Sequence, residues 1–122
     1  MNLRKIVVFV AGPYNGDIKG NIAKARKVAL VLWEMGFTVF CPHLNTAHFE
    51  VDCKIKDDEY IKGDLVILER CDVLFMVPEW ESSKGALGEH QRAAELLIPI
   101  FEEKDALLDW AEQWLRLEEL KK

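Results

Sequence analysis

The period of the apolar positions changes repeatedly along the chain, and each change predicts an element. Residues 6–11 form an unbroken run of β-branched, aromatic and small apolar side chains. Such a run suits a strand buried on both faces of a parallel sheet. The turn chemistry of Gly12-Pro13-Tyr14-Asn15-Gly16-Asp17 follows. Over residues 21–35, Ile22, Ala25, Ala29 and Leu32 recur at helical spacing, and Gly36 supplies the stop. Residues 37–41 read as a second strand closed by Pro42. Residues 43–56 have no clear period and are long for a connection, so they form either a functional loop or a segment ordered partly by ligand.

Residues 57–70 predict a helix weakened by Gly63, with Ile61, Leu65 and Leu68 on one face. A third strand covers residues 73–77 and ends at Pro78. The loop over residues 79–84 leads to a helix over 85–97, with Ser83 placed as its N-cap. Residues 98–101 are a short fourth strand, and from Lys104 onward Leu107, Ala111, Trp114 and Leu117 mark a last helical stripe.

Strands alternating with helices predict an α/β fold, a single domain over residues 1–122. Its doubly wound parallel sheet, flavodoxin- or Rossmann-like, has four or five strands, flanking helices and right-handed crossovers. Ligands of such sheets bind at the carboxyl ends of strands, near the point where strand order reverses. That rule directs attention to residues 12–17, 42–45 and 78–89.

Composition narrows the function classes. The chain has 122 residues, 50% of them hydrophobic and 30% charged, which is the profile of a globular protein. A net charge of -5 argues against nucleic acid as partner, because phosphate binding at scale needs a basic face. A small anion remains compatible, since backbone N–H groups can hold it. No apolar run approaches the roughly 20 residues that cross a membrane. The run after Arg4-Lys5 is shorter than the ~7–15 residues of a signal core and breaks at Gly12-Pro13. Three cysteines, Cys41, Cys53 and Cys71, without a C-x-x-C pair fit a reducing, cytoplasmic setting.

Four constellations can carry chemistry. Gly12, Gly16 and Gly20 let backbone approach a ligand beside a helix start, or they are a plain strand-to-helix turn. Their spacing is neither G-x-G-x-x-G nor a triphosphate loop, and no cofactor is expected. The stretch from Trp80 to Glu89 holds Ser82, Ser83, Gly85 and Gly88 around a helix start, with a carboxylate one to two turns inside. It is either a ligand-binding helix end or a serine cap followed by a surface glutamate. Asp64, Asp72 and Glu89 supply carboxylates, and two facing one sugar are the minimum for glycosidic cleavage. Asp72 sits at the amino end of the third strand and reads as structural. Cys41, His43, His48 and Cys53 match no common zinc spacing, and no metal is expected. His90 points about 100° from Glu89 around a helix, which disfavours a direct pairing.

The strings Val10-Ala11-Gly12-Pro13-Tyr14-Asn15-Gly16-Asp17, Pro42-His43, Asp64-Leu65, Cys71-Asp72 and Trp80 through Glu89 occur together. Over about residues 5–101 the chain resembles the nucleoside 2-deoxyribosyltransferase superfamily, within it a group of small proteins with the A-G-P-Y signature. The resemblance implies that Glu89 attacks the anomeric carbon and forms a covalent glycosyl intermediate. It implies that Asp64 assists protonation of the leaving base. It places substrate binding at Gly12, Pro13, Tyr14, Gly16 and Asp17, at His43 and Asn45, and at Trp80, Ser83 and Gly85.

Deoxyribosyltransferases usually hold a free 5′-hydroxyl with Asp six residues before the nucleophile, where related 5′-monophosphate N-glycosidases have Ser. Ser83 therefore implies a nucleoside 5′-monophosphate, with Lys84 adding charge. The implied activity is hydrolysis of the base–sugar bond. Deoxyribosyl transfer, or non-catalytic nucleotide binding, are the alternatives. The family's first-strand tyrosine is absent, Val8 and Phe9 standing there. The resemblance also implies a homodimer or larger homo-oligomer, for which Trp110 and Trp114 offer an apolar surface unless they cover the sheet. A free Glu has a pKa of ~4.3, so Glu89 is expected to be ionised at neutral pH unless strongly desolvated, while Asp64 must hold the proton at some stage.

Overall fold

The structure, a computed structural model, describes residues 2–121. Its elements run β1 (Val7–Ala11), α1 (Ile18–Met35), β2 (Thr38–Phe40), α2 (Pro42–Asn45), α3 (Phe49–Asp52), α4 (Asp57–Leu68), β3 (Val73–Met76), α5 (Lys84–Glu95), β4 (Ile100–Phe101) and α6 (Lys104–Leu120). The four strands form one parallel sheet in the order β2-β1-β3-β4. The chain moves outward from β1 to β2, then returns to the other side of β1 with β3. The strand order therefore reverses between the carboxyl ends of β1 and β3, which is where the fold class puts a ligand.

Strand alternation divides the core into two layers. Val8, Val10, Val73, Phe75 and Val77 face α1 and α6, meeting Ala25, Ala29, Leu32, Leu107, Ala111 and Leu115. Phe9, Ala11, Leu74 and Met76 face the other way, onto Leu68 of α4 and Ala86 and Ala93 of α5. Every residue of β3 is buried, as expected for a strand covered on both sides.

Local chemistry sets the boundaries. The Asp17 carboxylate caps α1 by accepting the Gly20 N–H at 3.1 Å, and Gly36 ends the helix at φ +115°. Asp72 accepts the Val7 N–H at 2.8 Å, stitching the amino ends of β1 and β3 together far from their carboxyl ends. Its structural role is thereby explained.

Two expectations change. The connection after β2 contains two one-turn helices, α2 started by Pro42 at its first position and α3, elements too short to show a period. On α6 Leu107, Ala111 and Trp114 face the core as the stripe predicts, joined by Leu115, whereas Leu117 is 59% exposed. Trp110 and Trp114 pack against the core beneath α6, so they cover the sheet. Among the described residues no helix is long and apolar enough to cross a membrane.

Candidate active site

A cavity of about 750 Å³ opens at the strand-order reversal. The loop after β1 contributes Gly12, Pro13 and Tyr14, and α2 contributes His43. From α4 come Tyr60, Ile61 and Asp64, and from the start of α5 come Ser83, Gly85 and Glu89. Eight of the twelve residues singled out in the sequence therefore meet here: Gly12, Pro13, Tyr14, His43, Asp64, Ser83, Gly85 and Glu89.

The other four lie elsewhere. Gly16, at φ +95°, turns the chain with open space around it, and Asp17 is occupied as the α1 cap. Asn45 lines a smaller adjoining cavity. Trp80 is directed away from the site: its ring stacks on His90 at 4.6 Å and its indole N–H donates to Glu102 at 2.7 Å. Glu79, at φ +71°, and the following 3-10 turn redirect this segment, which the sequence did not disclose. Tyr60 and Ile61 join the site although the sequence pattern places Ile61 with Leu65 and Leu68 on an inward face; the signal that marks the cavity-facing side of α4 is Asp57, Tyr60, Ile61 and Asp64 at i, i+3, i+4 and i+7.

Gly12 is dictated by packing. A Cβ there would lie 2.7 Å from Val77 Cβ, so the carboxyl ends of β1 and β3 approach this closely only over glycine. Gly85 differs: a Cβ would meet only Ser83 Oγ at 3.9 Å and Ile61 Cγ1 at 4.0 Å. The protein itself does not need that space, and its emptiness enlarges the cavity. Nothing in the structure requires glycine at Gly88.

His43 is 5% exposed, and its Nε2–H donates to the Pro13 carbonyl at 2.6 Å. Burial lowers its pKa, more than that hydrogen bond raises it, so the neutral ring staples α2 to the loop after β1. The Tyr14 hydroxyl donates to Glu50 at 2.5 Å and accepts the His48 N–H at 2.8 Å, holding α3 over the cavity. At the start of α5, Ser83 Oγ accepts the Ala86 N–H at 3.2 Å. Capping uses a lone pair, so the Ser83 proton stays available to a ligand. The Ser82 proton does not, because it is donated to the Glu79 carbonyl.

Glu89 is only 7% exposed, so the alternative of a surface carboxylate fails. Burial foremost, and then the charge of Asp64, push its pKa up to about 8. Burial pushes Asp64 up to about 6. Glu89, expected to be ionised, is instead the more basic of the two because the cavity floor desolvates it. As a pair they hold one proton between about pH 6 and pH 8. In that range the proton rests mainly on Glu89 and Asp64 is ionised, so double displacement with Glu89 as nucleophile requires that proton to pass to Asp64.

Among the described residues no cluster of three or more His, Cys, Asp or Glu side chains could hold a metal ion. The family model for a domain of unknown function, DUF4406, matches residues 6–102. The chain belongs to the DUF4406 family. That match spans β1 through β4 and contains every residue of the cavity described above, while α6 lies beyond it. A search of curated proteins finds no match. A solved structure of a 2-deoxyribosyltransferase from the psychrotolerant bacterium Bacillus psychrosaccharolyticus is similar, with 24% identity, a TM-score of 0.57, and 77% of this chain and 69% of that one covered. At this identity the likeness establishes a shared α/β fold.

Proposed function

We propose that the chain hydrolyses the base–sugar bond of a nucleoside or deoxynucleoside 5′-monophosphate. The observation that carries this reading is that buried Glu89 and Asp64 line one cavity, with burial holding both carboxyls above the usual carboxylate range. Ionised Glu89 attacks the anomeric carbon. A bond forms from its carboxylate oxygen as the C1′–N bond breaks, and the departing nitrogen keeps the electron pair and takes the proton from Asp64. Water then attacks C1′, its proton goes to Asp64, and the Glu89–sugar bond breaks. Positive charge building on the sugar beside Glu89 favours moving the shared proton to Asp64.

The first turn of α5 suits the phosphate. The Lys84 and Gly85 N–H groups open the helix, the Ser83 hydroxyl is a free donor, and the dipole of a twelve-residue helix favours an anion. Lys84 makes no ion pair among the described residues, whereas Lys62 across the cavity is paired with Asp58 and Glu59. Glu50, Asp57 and Asp58 line that other end and disfavour a phosphate there.

The test is chromatographic detection of free base after incubation with a panel of nucleoside and deoxynucleoside 5′-monophosphates. Base release that disappears in Glu89→Ala is the expected result. Equal turnover of free nucleosides would defeat the phosphate reading, and undiminished turnover by Glu89→Ala would defeat the nucleophile. Deoxyribosyl transfer is the second reading, supported by the fold shared with a 2-deoxyribosyltransferase; a new nucleoside formed on adding a second base would select it. Buried Val8 and Phe9, where the resembled superfamily carries tyrosine, support simple nucleotide binding. That outcome is thermal stabilisation by nucleotide without base release. The reading includes a homo-oligomer, to be checked by light scattering, and a cytoplasmic setting, supported by three free cysteines.

A further inference from the structure

The helix that carries Glu89 has a smooth inner face. The buried residues of α5 are Ala86, Glu89 and Ala93, and the methyls of Ala86 and Ala93 interlock little with the sheet. Gly85 and Gly88 loosen its amino-terminal half further. Packing on the sheet therefore leaves the rotation of α5 about its axis weakly defined, although that rotation decides where Glu89 points. A turn of about 10° carries a side chain at the outer radius of about 5–6 Å through about 1 Å. Misplacement by about 1 Å can cost a reaction about a hundredfold.

Two contacts oppose such a turn, one on each flank of Glu89. Arg92, about 60° round the helix on one side, donates to Glu69 just past α4 at 2.9 and 2.6 Å. Both side chains are more than a third exposed, so water screens that pair. On the other side His90, about 100° round, meets the Trp80 ring with centroids 4.6 Å and planes 7° apart. Trp80 is itself fixed. Its indole N–H donates to Glu102, between β4 and α6, at 2.7 Å, and its ring packs against the core layer that α4 and α5 cover. Its carbonyl accepts the Ser83 N–H at 2.9 Å. Trp80 thus grips the chain just past Glu89 with its ring and at the α5 cap with its backbone, and the whole stretch from Ser83 to Glu89 lies between the two grips.

We propose that Trp80 and His90 are positioning residues, whose stack, anchored by Glu102, sets the rotation of α5 and so aims Glu89 into the cavity. The kinetic part of this inference rests on the proposed glycosidic cleavage, whereas the aim of Glu89 is measured without turnover. The experiment compares His90→Leu, which removes the stack, with His90→Phe, which keeps a stacked ring. Neither replacement can carry charge or move a proton, so a difference between them reports the stack and not histidine chemistry. The first readout is the carbon-13 NMR titration of the Glu89 carboxyl, assigned by its loss in Glu89→Gln. The second is kcat and KM for base release.

In the wild type that carboxyl titrates at about 8 because it is desolvated. In His90→Leu the helix turns Glu89 toward water, the midpoint falls toward the ordinary carboxylate value, and kcat drops roughly 10–100-fold with less change in KM. His90→Phe restores both. Should His90→Leu not fold, Trp80→Leu against Trp80→Phe makes the same comparison. A Glu89 midpoint unmoved by loss of the stack, or His90→Phe as impaired as His90→Leu, would overturn the proposal. A wild type that releases no base from any nucleotide would sink the hydrolytic reading, and the Glu89 midpoints would still decide the role of the stack.

Discussion

The burial of Glu89 makes folding stability fall as pH rises, and Glu89→Gln should remove that share of the dependence. The carboxyl titrates near 8 in the folded chain against an ordinary value of 4.5. Between those values the native state holds a proton that the unfolded chain has released, so stability declines with increasing pH. The contribution is fully present below about pH 4.5 and is lost by about pH 8. At about 1.36 kcal/mol per unit, the difference amounts to up to about 5 kcal/mol at pH 9 and about 3 kcal/mol at pH 7. Glutamine has nearly the shape of the protonated acid and cannot ionise. Urea unfolding at pH 5, 7 and 9 should therefore show wild type and Glu89→Gln nearly matched at pH 5, with the mutant increasingly the more stable above it. Asp64 titrates in both proteins, so the difference between them isolates Glu89. An offset that stays constant from pH 5 to pH 9 would refute the claim that the folded site desolvates this carboxyl.

The shared proton also predicts a bell-shaped kcat/KM for base release, rising near pH 6 and falling near pH 8. Below that window both carboxyls are protonated and the nucleophile is lost; above it both are ionised and the acid is lost. Gly85→Ala fits without a clash and adds helix propensity, so it should stabilise the fold by roughly 0.5–1 kcal/mol in urea unfolding while raising KM. Tyr14→Phe removes the hydroxyl that bonds Glu50 and His48; hydrogen exchange over residues 46–56 should accelerate, and KM should change more than kcat. Gly12→Ala drives a methyl against Val77, costing about 1–3 kcal/mol in thermal or urea unfolding.

The strands and long helices were legible because burial on both faces leaves a mark on every residue. Residues 6–11 and 73–77 are apolar without a break, and alternation then assigns Val8 and Val10 to one layer and Phe9 and Ala11 to the other. What escaped has a common cause. A helix of one turn has no period, so α2 and α3 were hidden within an irregular stretch. Trp114 does pack inward as its place in the stripe implies, and only the step to Leu117 fails, because α6 buries Leu115 beside it on a helix whose two sides are both partly apolar. Trp80 lay in a promising string, but a left-handed Glu79 turns it onto His90. The meeting of Asp64 and Glu89 depends on two helices 25 residues apart packing side by side, and no local pattern encodes that distance. The resemblance named both carboxylates, but the inverted order of their basicities emerged only from their burial.

Several independent departures from stable, ordinary design converge on this one region. A carboxyl is buried at Glu89 where an apolar side chain would cost nothing to desolvate. Gly63 and Gly85 interrupt two helices with side chains missing where the protein has room for them. Each feature alone admits a local explanation, and Gly88 shows that an unneeded glycine also occurs outside the cavities. Their joint placement is different, because Glu89 and Gly85 border the larger cavity and Gly63 the smaller one beside it, with Asp64 lining both. A chain shaped only by folding would have no reason to gather these costs at the point where its strand order reverses. A ligand that fills the space over both glycines and draws the proton from Glu89 to Asp64 removes these costs together.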